Sequence, residues 1–261
     1  MLQFVRHNAK HSAGWLLARS VPRLRYANCL FILAHMRCGS TALANVICSR
    51  PDVSGYGETH VPHDGPAAPG RLAINHLRHG CHRRTAPLVF DKILHSRLDE
   101  RAPAQFYQAR AIFLLREPAP AVRSIVHLFT RLGKDEYRTD AEAALYYLDR
   151  LRMLERHWLR FEPARRVGLT SEALLADPAG QLRRISEGLE FDPPLENSYS
   201  SAPASRRGGG GDPLVSGRHR RIEGGLAGTG AGAEPLAISD ALSRRLEDQH
   251  ARLRSLFMAS A

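Results

Sequence analysis

No acidic residue occurs before Asp52, although Arg6, Lys10, Arg19, Arg23 and Arg25 all precede it. The imbalance continues along the chain, with 37 lysines and arginines against 26 aspartates and glutamates and a net charge of +11. A surplus of this size favours anionic partners, whether nucleic acid, an acidic membrane surface or a substrate carrying phosphates. An acid-poor basic arm over residues 1–26 has the composition of an organellar targeting segment and equally that of a basic helix packed on the domain. Apolar runs of the roughly 20 residues needed to cross a bilayer are missing, so no membrane span is expected. Cysteine is scarce: Cys29, Cys38, Cys48 and Cys81 form no C-x-x-C pair, which argues against a zinc site or a disulfide framework. Reduced thiols in a cytoplasmic protein are the expectation. Missing too are the G-x-x-x-x-G-K-S/T loop of nucleotide triphosphatases and any helix-turn-helix, zinc-finger or RNA-recognition signature. The first absence argues against an ordinary kinase, the second against a specific nucleic-acid partner.

What is present suits one enzyme-sized domain, since 261 residues with 43% hydrophobic content can bury a sizeable core. Residues 29–34 form a continuous apolar run, the pattern of a strand covered on both faces. Similar runs recur at 88–90, 111–115 and 167–169, with helical periodicity between them. The strongest helix is expected over 140–161, with Asp140 as its cap and Ala144, Tyr147, Leu148, Leu151, Leu154 and Trp158 on one face. Asp177-Pro178 should open another, with Leu182, Ile185 and Leu189 as its buried stripe, and 238–257 a last one. Alternating strands and helices predict an α/β fold: a single P-loop-like domain over 27–261, with a central, mainly parallel sheet flanked by helices. Residues 200–235, rich in glycine and arginine, read either as a mobile cover or as a linker.

The first strand runs into Arg37-Cys38-Gly39-Ser40-Thr41, with helical sequence from Ala42 to Ser49. Strand, glycine turn and helix make an anion site, because the helix start presents free N–H groups and the positive end of its dipole. Ser40 and Thr41 add hydroxyl donors. A second strand ends at Arg116, and Ser124 follows about two helical turns on, where the two side chains can close on one phosphate.

These segments resemble the PAPS-dependent sulfotransferases, which take a sulfuryl group from 3′-phosphoadenosine 5′-phosphosulfate, and within them the branch of tyrosylprotein and many bacterial enzymes. Met36-Arg37-Cys38-Gly39-Ser40-Thr41 stands for the family's Pro-Arg-Ser-Gly-Thr-Thr. Arg50-Pro51-Asp52-Val53 is similar to its His-Pro-x-Val, and Gly57-Glu58-Thr59 to its Gly-Glu-Glu-Thr. Arg116 and Ser124 match its second signature, and 172–178 its Glu-x-Leu stretch before proline. Cys38 replaces a serine, and Ser171 stands where tyrosine is usual.

The resemblance implies a PAPS site formed by Arg37, Cys38, Gly39, Ser40, Thr41, Arg116 and Ser124, with adenosine 3′,5′-bisphosphate as product and no metal. It implies that Arg37 and Lys92 stand at the junction of sulfate and 5′-phosphate, and that Glu58 is the base that accepts the acceptor's proton. His60 is the alternative base. Burial should raise the Glu58 pKa and nearby cations lower it, and the sequence leaves that contest open. Arg218, in the glycine- and arginine-rich stretch, is a candidate for the 3′-phosphate or adenine, weighed against a solvated basic loop. The acceptor is a hydroxyl on a carbohydrate, lipid, small metabolite or tyrosine. A kinase with an atypical phosphate loop and a non-enzymatic nucleic-acid binder are the competing readings.

Overall fold

A computed structural model describes residues 2–206, 219–223 and 235–259, with side chains from His11 onward except at 205 and 206. The chain begins with helix α1 (Leu2–Ser20) and enters strand β1 (Cys29–Ala34), followed by α2 (Ser40–Ser49) and the short strand β2 (Val53–Ser54). Helix α3 (Ala68–Arg78) leads to β3 (Leu88–Ile93), β4 (Arg110–Leu115) and α4 (Pro118–Arg131). Then come α5 (Asp140–Arg160), β5 (Arg166–Thr170), α6 (Ser171–Ala176), α7 (Pro178–Gly188), α8 (Pro203–Arg206) and α9 (Asp240–Met258). Among the described residues the strands form one five-stranded sheet in the order β2-β3-β1-β4-β5, and every pairing is parallel.

This is the expected α/β architecture, and its physical origin is visible in β1. All six of its residues are buried, because helices cover both faces of the sheet and leave no solvated side for alternation. The chain leaves β1 first toward β2 and β3 on one side and later toward β4 and β5 on the other. The carboxyl ends of β3, β1 and β4 therefore flank the point where the connections diverge, the usual place for a ligand in an open α/β sheet.

The periodic stripe of α5 packs as expected, with Tyr147, Leu148, Leu151, Leu154 and Trp158 all at most 2% exposed. Its cap differs from expectation. Thr139 is the N-cap, accepting a hydrogen bond from the Glu142 amide while the Glu142 carboxylate accepts from the Thr139 amide. The reciprocal pair satisfies two donors at once, and Asp140 is left to accept from the Ala237 amide at 2.8 Å instead. Asp177 caps α7 through the Gly180 amide, as its sequence predicts.

Helix α1 lies against α3. The two backbones approach so closely at Gly14 and Gly70 that a Cβ on Gly70 would sit 1.9 Å from the Gly14 carbonyl oxygen. No side chain fits between them.

The sheet's carboxyl edge is tied together from α5. Arg150, fully buried, donates to the Ala34 carbonyl at the end of β1 and to the Ile93 carbonyl at the end of β3, each at 2.9 Å. Its remaining nitrogen meets both oxygens of the buried Asp99, at 2.8 and 2.9 Å. Burial alone would raise the Asp99 pKa, but Arg150 and His157 outweigh it and hold the carboxyl below its ordinary value. Breaking such a pair strands a buried charge, so Arg150→Met should cost about 3–5 kcal/mol in urea unfolding. Adding Asp99→Asn to the same chain should recover part of that loss. A single variant within 1 kcal/mol of the parent, on the order of ordinary surface changes, would show that the clamp contributes little.

Candidate functional site

The turn between β1 and α2 is shaped by two residues in the left-handed region, Arg37 at φ 66° and Gly39 at φ 81°. Glycine adopts that conformation without a Cβ penalty. Its position as N-cap of α2 leaves the first amides of the helix open to an anion. Cys38 is buried, with its thiol pKa raised by burial against hydrogen bonds from the Ser40 hydroxyl and amide, so its sulfur sits beneath the start of α2.

Three groups converge on this loop: Lys92 from β3, Arg116 from the end of β4 and Ser124 from α4. Lys92, on β3 and 2% exposed, donates from Nζ to Thr41 Oγ1 at 3.2 Å. Arg116, just beyond β4, donates from Nη1 to the Arg37 carbonyl at 3.0 Å. Arg37 in turn donates from Nε to Ser124 Oγ, on α4, at 2.9 Å. Burial lowers the Arg116 pKa from its ordinary value, Glu172 opposes that shift, and the neighbouring Arg37 adds to it. A half-desolvated pair of guanidinium groups is an electrostatic demand for an anion.

Glu58 reaches the same edge from the segment after β2. The Lys92 amide donates to the Gly57 carbonyl at 3.2 Å and so seats this segment against β3. Asp91 completes the seat, accepting from the amides of Thr59 and Lys92 and from His63 Nε2 at 2.9 to 3.1 Å. Glu58 itself is 8% exposed, and its Oε1 has no hydrogen-bond partner. His60 Nδ1 at 3.4 Å and His95 Nε2 at 3.8 Å lie within ion-pair range of that oxygen without hydrogen-bond geometry. Burial raises the Glu58 pKa, and Lys92 and His60 offset only part of the rise. The contest left open by the sequence is won by desolvation.

The structure thus brings Arg37, Cys38, Gly39, Ser40, Thr41, Glu58, Lys92, Arg116 and Ser124 to one end of the sheet. Arg218 lies outside the described residues, as do 207–217 and 224–234 of the glycine- and arginine-rich stretch. Its described part, 219–223, is held at Ile222, whose amide and carbonyl both bond the Asn197 side chain, at 2.7 and 2.9 Å. Among the described residues no group of three or more His, Cys, Asp or Glu side chains could hold a metal ion. No helix among them is long and apolar enough to cross a membrane.

Sequence reasoning passed over three supporting residues. His35 accepts the Arg116 amide on Nε2 at 3.0 Å while Nδ1 meets the Met36 carbonyl at 2.8 Å, which links the ends of β1 and β4. His95, two residues beyond β3, flanks Glu58. Tyr146 of α5 accepts the Met36 amide and donates to the Leu94 carbonyl. The available signal was position: His35 and His95 both stand just past the carboxyl ends of central strands, where ligand-facing residues of such sheets gather.

With this geometry in hand, comparison with known proteins is informative. Residues 82–193 match the sequence profile of the Sulfotransferase family, a stretch that contains Lys92, His95, Arg116 and Ser124. The sulfotransferase domain from the curacin biosynthetic pathway superposes with a TM-score of 0.60 at 18% identity, covering 84% of this chain and 96% of that one. The sulfotransferase domain of the Synechococcus PCC 7002 olefin synthase gives 0.56 at 20% identity, over 84% and 93% of the two chains. No curated protein matches the sequence. The chain has the sulfotransferase fold and, over 82–193, the sequence pattern of the sulfotransferase family. Sulfuryl transfer is the general chemistry that family and fold support.

Burial around the site sets a pH dependence. Burial lowers His35 to about 3 and His76 and His95 to about 4. These groups are neutral when folded but take up protons near pH 6.5 when unfolded. Stability should therefore fall as pH drops from about 6.5 toward 4, by about 1.4 kcal/mol per pH unit for each fully titrating histidine. Glu58 acts in the opposite sense: its raised pKa costs stability as pH rises through it. Urea unfolding at pH 8 should accordingly find Glu58→Gln more stable than the parent, with the gap closing in acid. A parent curve flat between pH 6.5 and 4.5, or a variant less stable at pH 8, would contradict these assignments.

Proposed function

We propose that the protein transfers a sulfuryl group from PAPS to an acceptor hydroxyl. The observation that carries the proposal is the convergence of Arg37, Lys92, Arg116 and Ser124 on one strand-loop-helix turn, beside a buried carboxyl with an unpartnered oxygen. The α2 N-terminus, Ser40 and Thr41 suit a 5′-phosphate. Arg116 and Ser124, joined through Arg37, suit the 3′-phosphate that distinguishes PAPS from ATP.

In the proposed reaction the acceptor oxygen bonds to sulfur as the bond from sulfur to the 5′-phosphate oxygen breaks. The acceptor proton passes to Glu58, and adenosine 3′,5′-bisphosphate leaves with the electron pair of the broken bond. Transfers of this type depend on alignment and on cations placed where charge accumulates. Lys92 and Arg37 supply that charge at the leaving oxygen. A carboxyl raised by burial is a stronger base than an exposed one, which suits abstraction from a hydroxyl. His95, kept neutral by burial and by Arg97 and Arg150, leaves Glu58 without a permanent counter-ion on that side.

Glu58→Gln should lower turnover by about two to four orders of magnitude while leaving bisphosphate affinity within a few fold, the usual pattern for a positioned base. Near-normal turnover with chemistry rate-limiting would remove Glu58 from the role and turn attention to His60.

The donor is tested separately by ligand-linked melting at fixed ionic strength. Adenosine 3′,5′-bisphosphate at about 100 times its dissociation constant should add roughly 2.7 kcal/mol. ATP, adenosine monophosphate and inorganic sulfate should add much less. Arg116→Ala should erase most of the preference. Equal shifts from ATP and the bisphosphate, unaffected by Arg116→Ala, would favour a kinase or a charge-only binder.

A further inference from the structure

Helices α1 and α3 contain no aspartate or glutamate. Neither do the stretches around them, because the first acid of the chain is Asp52 and none occurs between Asp64 and Asp91. The two helices pack on one another through Gly14 and Gly70, so both acid-free stretches share one flank of the molecule. The basic turns that follow the helices meet as well. Arg23, after α1, and Arg84, after α3, both act on His82, whose pKa is lowered first by burial and then by the two arginines. Arg19, Arg25, Arg78 and Arg84 are exposed, and among the described residues none of them forms an ion pair. Asp64, the acid nearest to α3 in sequence, is taken up by Arg71.

The same two helices carry apolar side chains that the fold leaves uncovered. Trp15, Leu16 and Leu77 are 42%, 57% and 68% exposed, three of the seven large hydrophobic side chains exposed among the described residues, so such exposure is concentrated here. Leu17 and the following Val21 pack toward the core instead. The apolar residues of this segment are thus divided between the domain and the outside, whereas a helix that only covered the core would turn polar residues outward. A tryptophan and leucines among arginines is the composition of a membrane interface, where aromatic rings sit at headgroup depth. Arginine suits the same place, because its stem lies on apolar surface while its charge stays with the headgroups. The Arg19 guanidinium already lies over the Trp15 ring, 5.3 Å from its centre.

We infer that the flank formed by α1 and α3 docks on the surface of an anionic lipid bilayer. Attachment is peripheral, since no described helix is long and apolar enough to cross the bilayer. Charge complementarity sets the sign of the partner: a flank with unpaired arginines and no carboxylate from either helix attracts anionic headgroups, by about fivefold in partition for each arginine near the surface. The exposed leucines select lipid over nucleic acid. A single strand stacks on aromatic rings, but leucine gains nothing from bases and phosphates and does gain from acyl chains. Neither half suffices alone, because salt screens exposed charges and three side chains bury little apolar area; peripheral attachment takes two such signals together. The inference is independent of the sulfotransferase reading.

The test sediments the full chain with vesicles of phosphatidylcholine alone and of phosphatidylcholine and phosphatidylserine in equal parts, at physiological ionic strength. The protein should follow the mixed vesicles and not the neutral ones. Trp15 reports its own insertion: the other tryptophan, Trp158, is 1% exposed, so a blue shift of emission on adding mixed vesicles comes from Trp15. Arg19→Glu and Arg84→Glu should each lower the partition about fivefold or more. Trp15→Ser combined with Leu16→Ser should abolish the shift and weaken sedimentation. Arg183→Glu should leave both readouts unchanged, because this exposed arginine belongs to α7, which packs on β5 at the other edge of the sheet. All the altered side chains are exposed, so the fold tolerates the changes. Equal sedimentation with neutral and mixed vesicles, no response to the α1 and Arg84 variants, or an equal loss from Arg183→Glu would each overturn the inference. Duplex DNA and single-stranded RNA are run beside the vesicles. Binding to either that falls with Arg19→Glu and Arg84→Glu, in the absence of vesicle binding, makes the flank a nucleic-acid surface and overturns the lipid assignment.

Discussion

Everything the site does depends on the three strand ends held by α5. Arg150 binds the last carbonyls of β1 and β3. Tyr146 bridges the Met36 amide and the Leu94 carbonyl, and Tyr147 donates to the Arg116 carbonyl at 2.7 Å. A single helix thus fixes the backbone from which the phosphate loop, His95 and Arg116 all depart. Carbonyls at the end of a parallel strand would otherwise need water, and water there would loosen the edge that has to hold charged groups within a fraction of an ångström. The charge on Arg150 is the cost of that arrangement, and Asp99 neutralises it inside the core. Replacement by an apolar side chain could preserve volume but could not donate to two strands and an acid together.

The two halves of the site differ in how they handle charge. On the side proposed for the donor, Arg37 and Lys92 meet hydroxyls and Arg116 meets a backbone carbonyl, with Glu172 acting on Arg116 electrostatically. On the side proposed for the acceptor the buried Glu58 carboxyl, near the buried Asp91, is flanked by imidazoles, one of which is held neutral. Lys92 lies between the halves: it touches the phosphate loop through Thr41 and still acts on Glu58 electrostatically. In the proposed reaction, charge moving from Glu58 toward the leaving oxygen would pass from the negative group to the positive ones, the direction such an arrangement stabilises.

Much of this was legible in the sequence, for identifiable reasons. Strands β1, β3, β4 and β5 announce themselves as apolar runs because burial on both faces forbids alternation, and β1 is read to the residue. The phosphate loop is local, so Arg37 to Thr41 could be read as one unit, and Arg116 with Ser124 as another. Strand β2 was missed because two residues carry no periodicity. The α5 cap was misplaced by one residue because Asp140 and Thr139 are both good caps, and only the reciprocal Glu142 contact decides between them. The contacts of His35, Asp91, His95 and Arg150 were missed for a different reason, although position past a strand end marks His35 and His95. Each acts on a partner brought close by the sheet, Arg150 on Ala34 over 116 positions of sequence, and no local pattern records such a pairing.

Cys38 illustrates how the structure changes the weight of a substitution. Against a family pattern with serine, it reads as a lost hydroxyl donor and a weaker phosphate site. In the fold the side chain is fully buried, with burial as the main influence on its thiol. Its sulfur also meets the Ser40 hydroxyl and amide, so the side chain borders the start of α2 as well as the core. What it adds is apolar contact beneath the turn that carries Arg37 at a positive φ. A strained turn is held by what packs under it, so the residue that departs from the pattern stiffens the loop and holds the Ser40 end of α2 against the core.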